Sequence, residues 1–172
     1  AYVKPTITST KDLSNTLAVL EAKRFDSDFA IAWLDCFAKG NSLGRGYVSS
    51  AKWHGQTTTI NKNELKESLR MSKKIFDIFP AKLTWFLLRP FNKPFFFRIL
   101  NILIYYRNKI SQKAPKELPI QLFSKYTFMH NRIPCFNYFF KPKGFIEIQF
   151  LFAKNIAYEA ISECLYICHE EK

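Results

Sequence analysis

The segment FAIAWLDCFAKGNSLGRGYV, residues 29–48, limits the possible fold more than any other part of this chain. Large apolar side chains, those of Phe29, Ile31, Trp33 and Phe37, recur at every second position of residues 28–37, and a second predicted strand covers residues 47–53. Alternation with a period of two is typical of a strand that buries one face. Because Gly40 and Gly44 lie between the runs, the segment predicts a β-hairpin with a longer loop than the minimal one.

An acid lies on the apolar face of the first predicted strand. Alternation places Asp35 on the same face as Ile31 and Trp33. We expect the Asp35 carboxylate to accept hydrogen bonds from the turn, with Arg45 as a donor, in a structural role. A tryptophan on a strand either belongs to the core or lines a pocket, and both roles remain open for Trp33.

The remaining periodic segments complete an α+β pattern. In chain order they predict strands at 2–8 and 144–152, and helices at 10–24, 95–106 and from Ala157 to Cys168. Strands followed or separated by helices in this order predict an antiparallel sheet with helices packed on one face. In the strand at 144–152, Ile148 and Phe150 would face the core. Glu147 and Gln149 would then lie on the free face.

Length and hydropathy set the class of protein. The chain has 172 residues, of which 48% are hydrophobic, which is enough for one domain with a core. Its longest apolar run, residues 95–106, is interrupted by Arg98 and Asn101, so we expect no membrane-spanning helix. The first ten residues lack the apolar core of a signal peptide, and we expect a domain taken from a longer protein.

The positive charge is concentrated in the middle of the chain. The net charge is +12, and residues 78–146 contain twelve Lys or Arg and one acid, Glu117. The rest of the chain is close to neutral. A basic region of this kind attracts nucleic acid, acidic lipid headgroups or a phosphorylated substrate.

The four cysteines do not form a strong metal motif. Cys164 and Cys168 share one helix face and precede His169, but no second pair accompanies them. We therefore expect two small buried residues on a core stripe, with metal binding as the weaker alternative. Free thiols favour a reducing, cytoplasmic compartment.

Three stretches together resemble one enzyme family. The first is AWLDCFAKGNSLGRGYVSSAKW, the second is IYYRNK and the third is FNYFFKPKGFIEIQFLF. In this order and at roughly this spacing, they are similar to the substrate domain of flavin-linked sugar and alditol oxidoreductases of the vanillyl-alcohol-oxidase type. The matching residues are Trp33, Asp35, Leu43, Gly44, Arg45, Tyr106, Arg107, Asn137, Pro142, Gly144, Phe145, Gln149 and Phe150.

The chain also departs from that family at particular positions. Phe136 and Tyr138 flank Asn137 where the family usually has Trp and Arg, and Glu147 stands where a glutamine is common. No glycine-rich segment that could cradle a phosphate is present. The resemblance therefore implies that FAD is bound by an N-terminal domain that this sequence does not contain.

The resemblance implies a substrate-binding (cap) domain over residues 1–172, with a mobile basic insertion at about 70–140. The whole enzyme would oxidise a sugar-like or alditol hydroxyl by hydride transfer to FAD, and this part alone would be inactive. It implies no catalytic, metal or cofactor-binding residue here. The implied substrate-binding residues are Trp33, Tyr106, Arg107, Asn137, Glu147 and Gln149.

Each implied role has a plainer alternative. Glu147 and Gln149 would also suit a solvated strand face, and Tyr106 and Arg107 would suit a helix end whose dipole favours a cation. The expected partners are the FAD domain, a phosphorylated or lipid-linked sugar-like substrate and a membrane surface.

Two further functions compete with the oxidoreductase. One is a basic nucleic-acid-binding module. No nucleic-acid motif is present, and we do not expect nucleic acid as a partner. The other is a peripheral membrane protein that uses residues 91–110 as an anchor.

Overall fold

The computed structural model describes residues 2–55, 74–75, 79–80, 89–113, 121–127, 140, 144 and 147–170. The chain divides into two compact units. The first unit comprises Ala1–Val3, Trp53–Lys93 and Ile120–Ile148, and the second comprises Lys4–Lys52, Pro94–Pro119 and Gln149–Lys172. About half of the predicted insertion at about 70–140 lies outside the described residues, and the predicted single cap domain stays a prediction.

The described elements form an α+β structure. In chain order they are β1 (Tyr2–Thr10), α1 (Leu13–Asp26), β2 (Phe29–Leu34), β3 (Gly46–His54), β4 (Lys74–Ile75), β5 (Phe79–Pro80), α2 (Pro94–Lys113), β6 (Gln121–Leu122), α3 (Phe123–Thr127) and α4 (Ala157–Glu170). Three antiparallel strands in the order β2-β3-β1 form the main sheet, and the short β6 pairs with the start of β1. The predicted antiparallel sheet with packed helices is confirmed.

The predicted hairpin is present as β2 and β3. Their pairing runs from Phe29 opposite Ala51 to Leu34 opposite Gly46. The Asp35 N–H donates to the Arg45 carbonyl oxygen at 2.8 Å, which continues the pairing by one residue. The strand ends there, earlier than the predicted residue 37, because the Asp35 side chain accepts from the Phe37 N–H at 3.0 Å and turns the chain.

Helix α1 joins β1 to β2 across the sheet. Asp12 is the N-cap, and its Oδ1 accepts from the Asn15 N–H at 2.7 Å. Because β3 lies between β1 and β2, the two outer strands run parallel and α1 crosses over β3. The buried hydroxyls of Thr10 and Thr16 are 2.6 Å apart and fasten the helix to the end of β1.

Helix α2 packs on the opposite face of the sheet from α1. Thr10, at the end of β1, faces the same side as Thr6 and Ser50, whose hydroxyl oxygens are 2.7 Å apart. By register, Asp35 and Arg45 face the other side, and side chains of α2 contact both of them. The prediction placed all helices on one face, and the contacts of α2 correct it.

Helix α4 packs beside α1. Leu165 is the buried residue of α4, and Lys154, in the 3₁₀ turn that precedes α4, bonds Glu21 of α1 at 2.6 Å. At the other end of α4, His169 Nε2 lies 2.8 Å from the Cys36 carbonyl oxygen. Helix α4 is therefore attached to α1 near its first turn and to the end of the hairpin strand near its last.

The prediction of a strand at 144–152 is wrong for those residues of this range that the structure describes. Gly144 and residues 147–153 carry no strand, and Ile148 and Phe150, predicted as core, are 65% and 63% exposed. Alternation stabilises a strand only where a neighbouring strand satisfies its backbone and a core covers its apolar face. None of the described strands pairs with residues 147–153.

None of the helices in the described ranges combines the length and hydropathy needed to cross a bilayer.

Candidate functional site

A buried polar cluster lies where the hairpin turns, and we call it the Asp35 cluster: Asp35, Arg45, Asn101 and Tyr105. The Asp35 side chain is 1% exposed. Its Oδ2 accepts from Nε and Nη2 of Arg45 at 3.1 and 2.9 Å. Its Oδ1 accepts from the Phe37 N–H at 3.0 Å and from Nδ2 of Asn101 at 3.1 Å. Four donors therefore satisfy one carboxylate, as burial of the charge requires.

The electrostatics of the cluster favour a positioning role. A buried carboxylate is tolerated when a cation pairs with it and hydrogen bonds satisfy its other lone pairs. The Arg45 side chain is 17% exposed, so this pair is shielded from water on both sides. Because every Asp35 oxygen is occupied, the carboxylate holds α2 and the turn in place rather than acting as a base.

Tyr105 extends the cluster toward the surface of α2. The Arg45 guanidinium lies over the Tyr105 ring at 4.8 Å from its centroid, and the ring is buried. The Tyr106 ring meets Tyr105 edge-on at 5.3 Å. Contacts therefore run without interruption from the hairpin turn to a tyrosine that is half exposed.

The Leu43-Gly44-Arg45 turn is held against the start of α1. The Leu13 N–H, one of the donors at the helix start without an intrahelical acceptor, bonds the Leu43 carbonyl oxygen at 2.8 Å. Gly44 has φ +68°, and a Cβ there would lie 2.6 Å from the Leu13 Cβ. The turn needs glycine for both its conformation and its close approach to the helix.

The same geometry decides whether this turn could cradle a phosphate. Gly44 and Gly46 form a Gly-x-Gly sequence, but Leu13 occupies the space beside Gly44. A Cβ on Gly46 would fall on the Trp33 carbonyl oxygen. The space beside both glycines is filled by other parts of this chain, so phosphate groups of FAD do not fit there. We therefore assign no flavin chemistry to this turn.

Metal binding has no support in the described part of the chain, where no group of three or more His, Cys, Asp or Glu is placed to hold an ion. Cys164 is partly buried and Cys168 is exposed, and both are free thiols. The prediction that both cysteines lie on a core stripe is therefore wrong for Cys168.

Two predicted site residues belong to α2, next to the Asp35 cluster. Tyr106 is 49% exposed and Arg107 is exposed. Trp33 is half-buried on the α2 side of the sheet and stacks on Tyr47, with ring centroids 5.4 Å apart. The structure thus places Trp33, Tyr106 and Arg107 within one compact unit.

Of the other three predicted residues, two lie in the described part of the chain. Glu147 and Gln149 are exposed in a segment without strand structure, and they fall in different compact units. Asn137 lies outside the described residues. The proposed sheet face that would present Glu147 and Gln149 together is not formed in the described residues.

A pocket of about 440 Å³ lies on the α1 side of the sheet, and it was not predicted from the sequence. Lysines from three elements line it, Lys4, Lys23 and Lys52, together with the Thr6 and Ser50 hydroxyls and Asp26. No local motif could have predicted it, since the lysines are distant in sequence. Lys23 lies in the last turn of α1, where the helix dipole favours a cation.

Comparison of the chain with protein-family models, with curated proteins and with solved structures finds no match in any of the three. The relationship to flavin-linked oxidoreductases is accordingly a proposal that depends on the residues described above.

Proposed function

We propose that this chain is the substrate-binding portion of an FAD-dependent oxidoreductase that oxidises a sugar-like or alditol hydroxyl. An N-terminal domain of the parent protein would hold the FAD, which would supply the hydride acceptor for oxidation of the substrate hydroxyl. The residues of this chain bind and orient the substrate. We place the enzyme in the cytoplasm, in keeping with the free thiols of Cys36, Cys164 and Cys168.

One observation supports this proposal above the others. Residues of two separate stretches that resemble the family, Asp35 with Arg45 in one and Tyr106 in the other, are linked through the Tyr105 ring. The stretches are about sixty residues apart in the chain. A family motif that positions a substrate-binding tyrosine would require such a connection.

The exposed side chains next to the cluster suit a substrate of this class. The Tyr106 hydroxyl can donate to or accept from a sugar hydroxyl, and the Arg107 guanidinium can pair with a phosphate on the substrate. Trp33 and Tyr47 supply an aromatic surface on the same side of the sheet. Glu147, Gln149 and Asn137 remain proposed substrate-binding residues without a position in this cluster.

The parent protein tests the proposal directly. The purified full-length enzyme should show visible flavin absorbance, and that absorbance should bleach under anaerobic conditions when xylitol or ribose 5-phosphate is added as a probe. Tyr106→Phe and Arg107→Gln should raise KM for the effective probe by about tenfold each, because each removes one polar contact. Tyr158→Phe and Arg24→Gln, at exposed positions on other helices, should leave KM unchanged.

A colourless full-length protein would refute the proposal. A flavoprotein in which the α2 variants and the control variants behave alike would retain the enzyme class and refute the assigned substrate-binding residues.

A further inference from the structure

Helix α2 presents a continuous apolar surface to solvent, which we call the α2 stripe. Seven of its large apolar side chains are between 39% and 66% exposed: Phe95, Phe96, Ile99, Leu100, Leu103, Tyr106 and Ile110. At 100° per residue they fall within an arc of about 140°, and they extend over about 22 Å of helix. The opposite side of α2 carries Asn101 and Tyr105, which pack on the hairpin.

Basic side chains border the α2 stripe on both margins. Arg98 and Lys109 lie along one margin and Arg107 lies along the other, and all three are exposed. Residues 89–113 contain six Lys or Arg and no acid. A surface with this charge distribution is complementary to an anionic surface.

The chemistry of the α2 stripe favours a lipid surface over a protein partner. Its seven side chains carry one polar atom between them, the Tyr106 hydroxyl oxygen. Protein interfaces form about one hydrogen bond per 100–200 Å², whereas insertion into the headgroup region requires none. Long Lys and Arg side chains at the margins can reach lipid phosphates while their stems stay with the apolar residues.

We propose that α2 is an interfacial helix that inserts the α2 stripe into the outer region of an anionic bilayer. The helix lies parallel to the membrane plane, and Arg98 and Lys109 pair with acidic headgroups. Because the basic margin and the apolar stripe act together, neither alone gives stable attachment. The inference depends on exposure and charge, and it holds whether or not the chain belongs to an oxidoreductase.

Co-sedimentation with vesicles tests the proposal. The chain should bind vesicles that contain about one third phosphatidylglycerol and should bind pure phosphatidylcholine at least about tenfold more weakly. Raising the salt from about 0.05 to about 0.5 M should release most of the protein, since screening removes the charge attraction.

Two matched pairs of variants locate the binding surface. Ile99→Gln with Leu103→Gln, and separately Arg98→Glu with Lys109→Glu, should each reduce partitioning by about tenfold or more. The apolar control is Ile156→Gln with Ile167→Gln, and the charge control is Lys39→Glu with Lys52→Glu. Both control variants carry the same types of substitution at exposed residues outside α2, and they should bind the vesicles as strongly as the unaltered chain does. Far-UV circular dichroism verifies that each variant is folded.

Several results would overturn the proposal. One is equal loss of binding in the control variants, and another is equal binding to neutral and anionic vesicles. A third is a stable dimer in light scattering that Ile99→Gln with Leu103→Gln converts to a monomer, because a second copy would then cover the α2 stripe. The last is binding to single-stranded RNA that displaces the chain from the vesicles.

Discussion

Asp35 and Arg45 lie ten residues apart and meet at 2.9 Å on the α2 side of the hairpin, where the carboxylate is buried and the guanidinium nearly so. The pair joins three elements, because the same carboxylate also accepts from Asn101 of α2. The free energy of unfolding and the position of Tyr106 therefore both depend on the Asp35–Arg45 ion pair.

Replacing Asp35 by Asn should destabilise the chain although the two side chains have nearly the same shape. The amide leaves the Arg45 charge uncompensated and places an NH₂ group among donors. We expect the free energy of unfolding in urea to fall by about 3 kcal/mol. Asp26→Asn, at an exposed position near the end of α1, should change it by less than about 0.5 kcal/mol. Equal effects of the two substitutions would contradict the assigned role.

Gly44→Ala should cost more than Gly40→Ala although both glycines have positive φ, +68° and +57°. The left-handed conformation costs an alanine about 1–2 kcal/mol at either position. Only at Gly44 would the new methyl group meet Leu13, at 2.6 Å. We expect a loss of at least about 3 kcal/mol at Gly44 and about 1 kcal/mol at Gly40 in urea unfolding. A similar loss at both positions would show that the turn moves freely away from α1.

Thr16→Val removes the Thr16 hydroxyl but keeps the shape of the side chain, and it should lower the free energy of unfolding. The Thr16 Oγ1 lies 2.9 Å from the Asp12 carbonyl oxygen and 3.1 Å from that of Gly44, so its single proton is shared between them. The variant leaves the Thr10 hydroxyl and the Gly44 carbonyl without this partner inside the protein. We expect a loss of about 1–3 kcal/mol in urea. Ser14→Ala, on the exposed side of α1, is the matched control, and a comparable loss there would refute the assignment.

The hairpin, α1, α2 and α4 could be predicted because their signals are local. The alternation at 29–34 and the apolar periodicity of each helix depend only on residues within one element. Asp35 and Arg45 are ten residues apart, so their pairing could also be predicted from the sequence. Asn101 could not be foreseen, because its contact with Asp35 spans 66 residues. Long-range side-chain contacts leave no periodic trace in a sequence.

The failure at 144–152 has a different physical origin. Ile148 and Phe150 alternate with polar residues as they would in a strand, yet a strand also needs a partner backbone, which one sequence segment does not specify. The side of the sheet that each helix covers was missed for a related reason. The residues of α2 that contact the hairpin, Asn101 and Tyr105, are not its most apolar ones.

Glu21 offers a test of how α4 is attached to α1. The hydrogen bond from the Lys154 ammonium at 2.6 Å, with the charges of Lys154 and Arg24, holds the pKa of the Glu21 carboxyl below its ordinary value of 4.5. A carboxyl whose pKa is lower in the folded chain stabilises it above the unfolded pKa. That stabilisation is lost as the pH falls through the folded pKa. The chain should therefore lose this contribution in acid and keep it at neutral pH.

Carboxyl-carbon NMR titration measures this effect at Glu21 itself. Lys154→Met removes the largest cause of the shift, so the pKa of Glu21 should rise toward its ordinary value. Arg24→Gln should raise the pKa less, because its charge acts at 3.7 Å without being the main hydrogen-bond donor. Lys39→Met, a distant exposed control, should leave the pKa of Glu21 unchanged. A Glu21 pKa that is the same in the Lys154→Met variant and in the unaltered chain would mean that Lys154 does not hold α1 in solution.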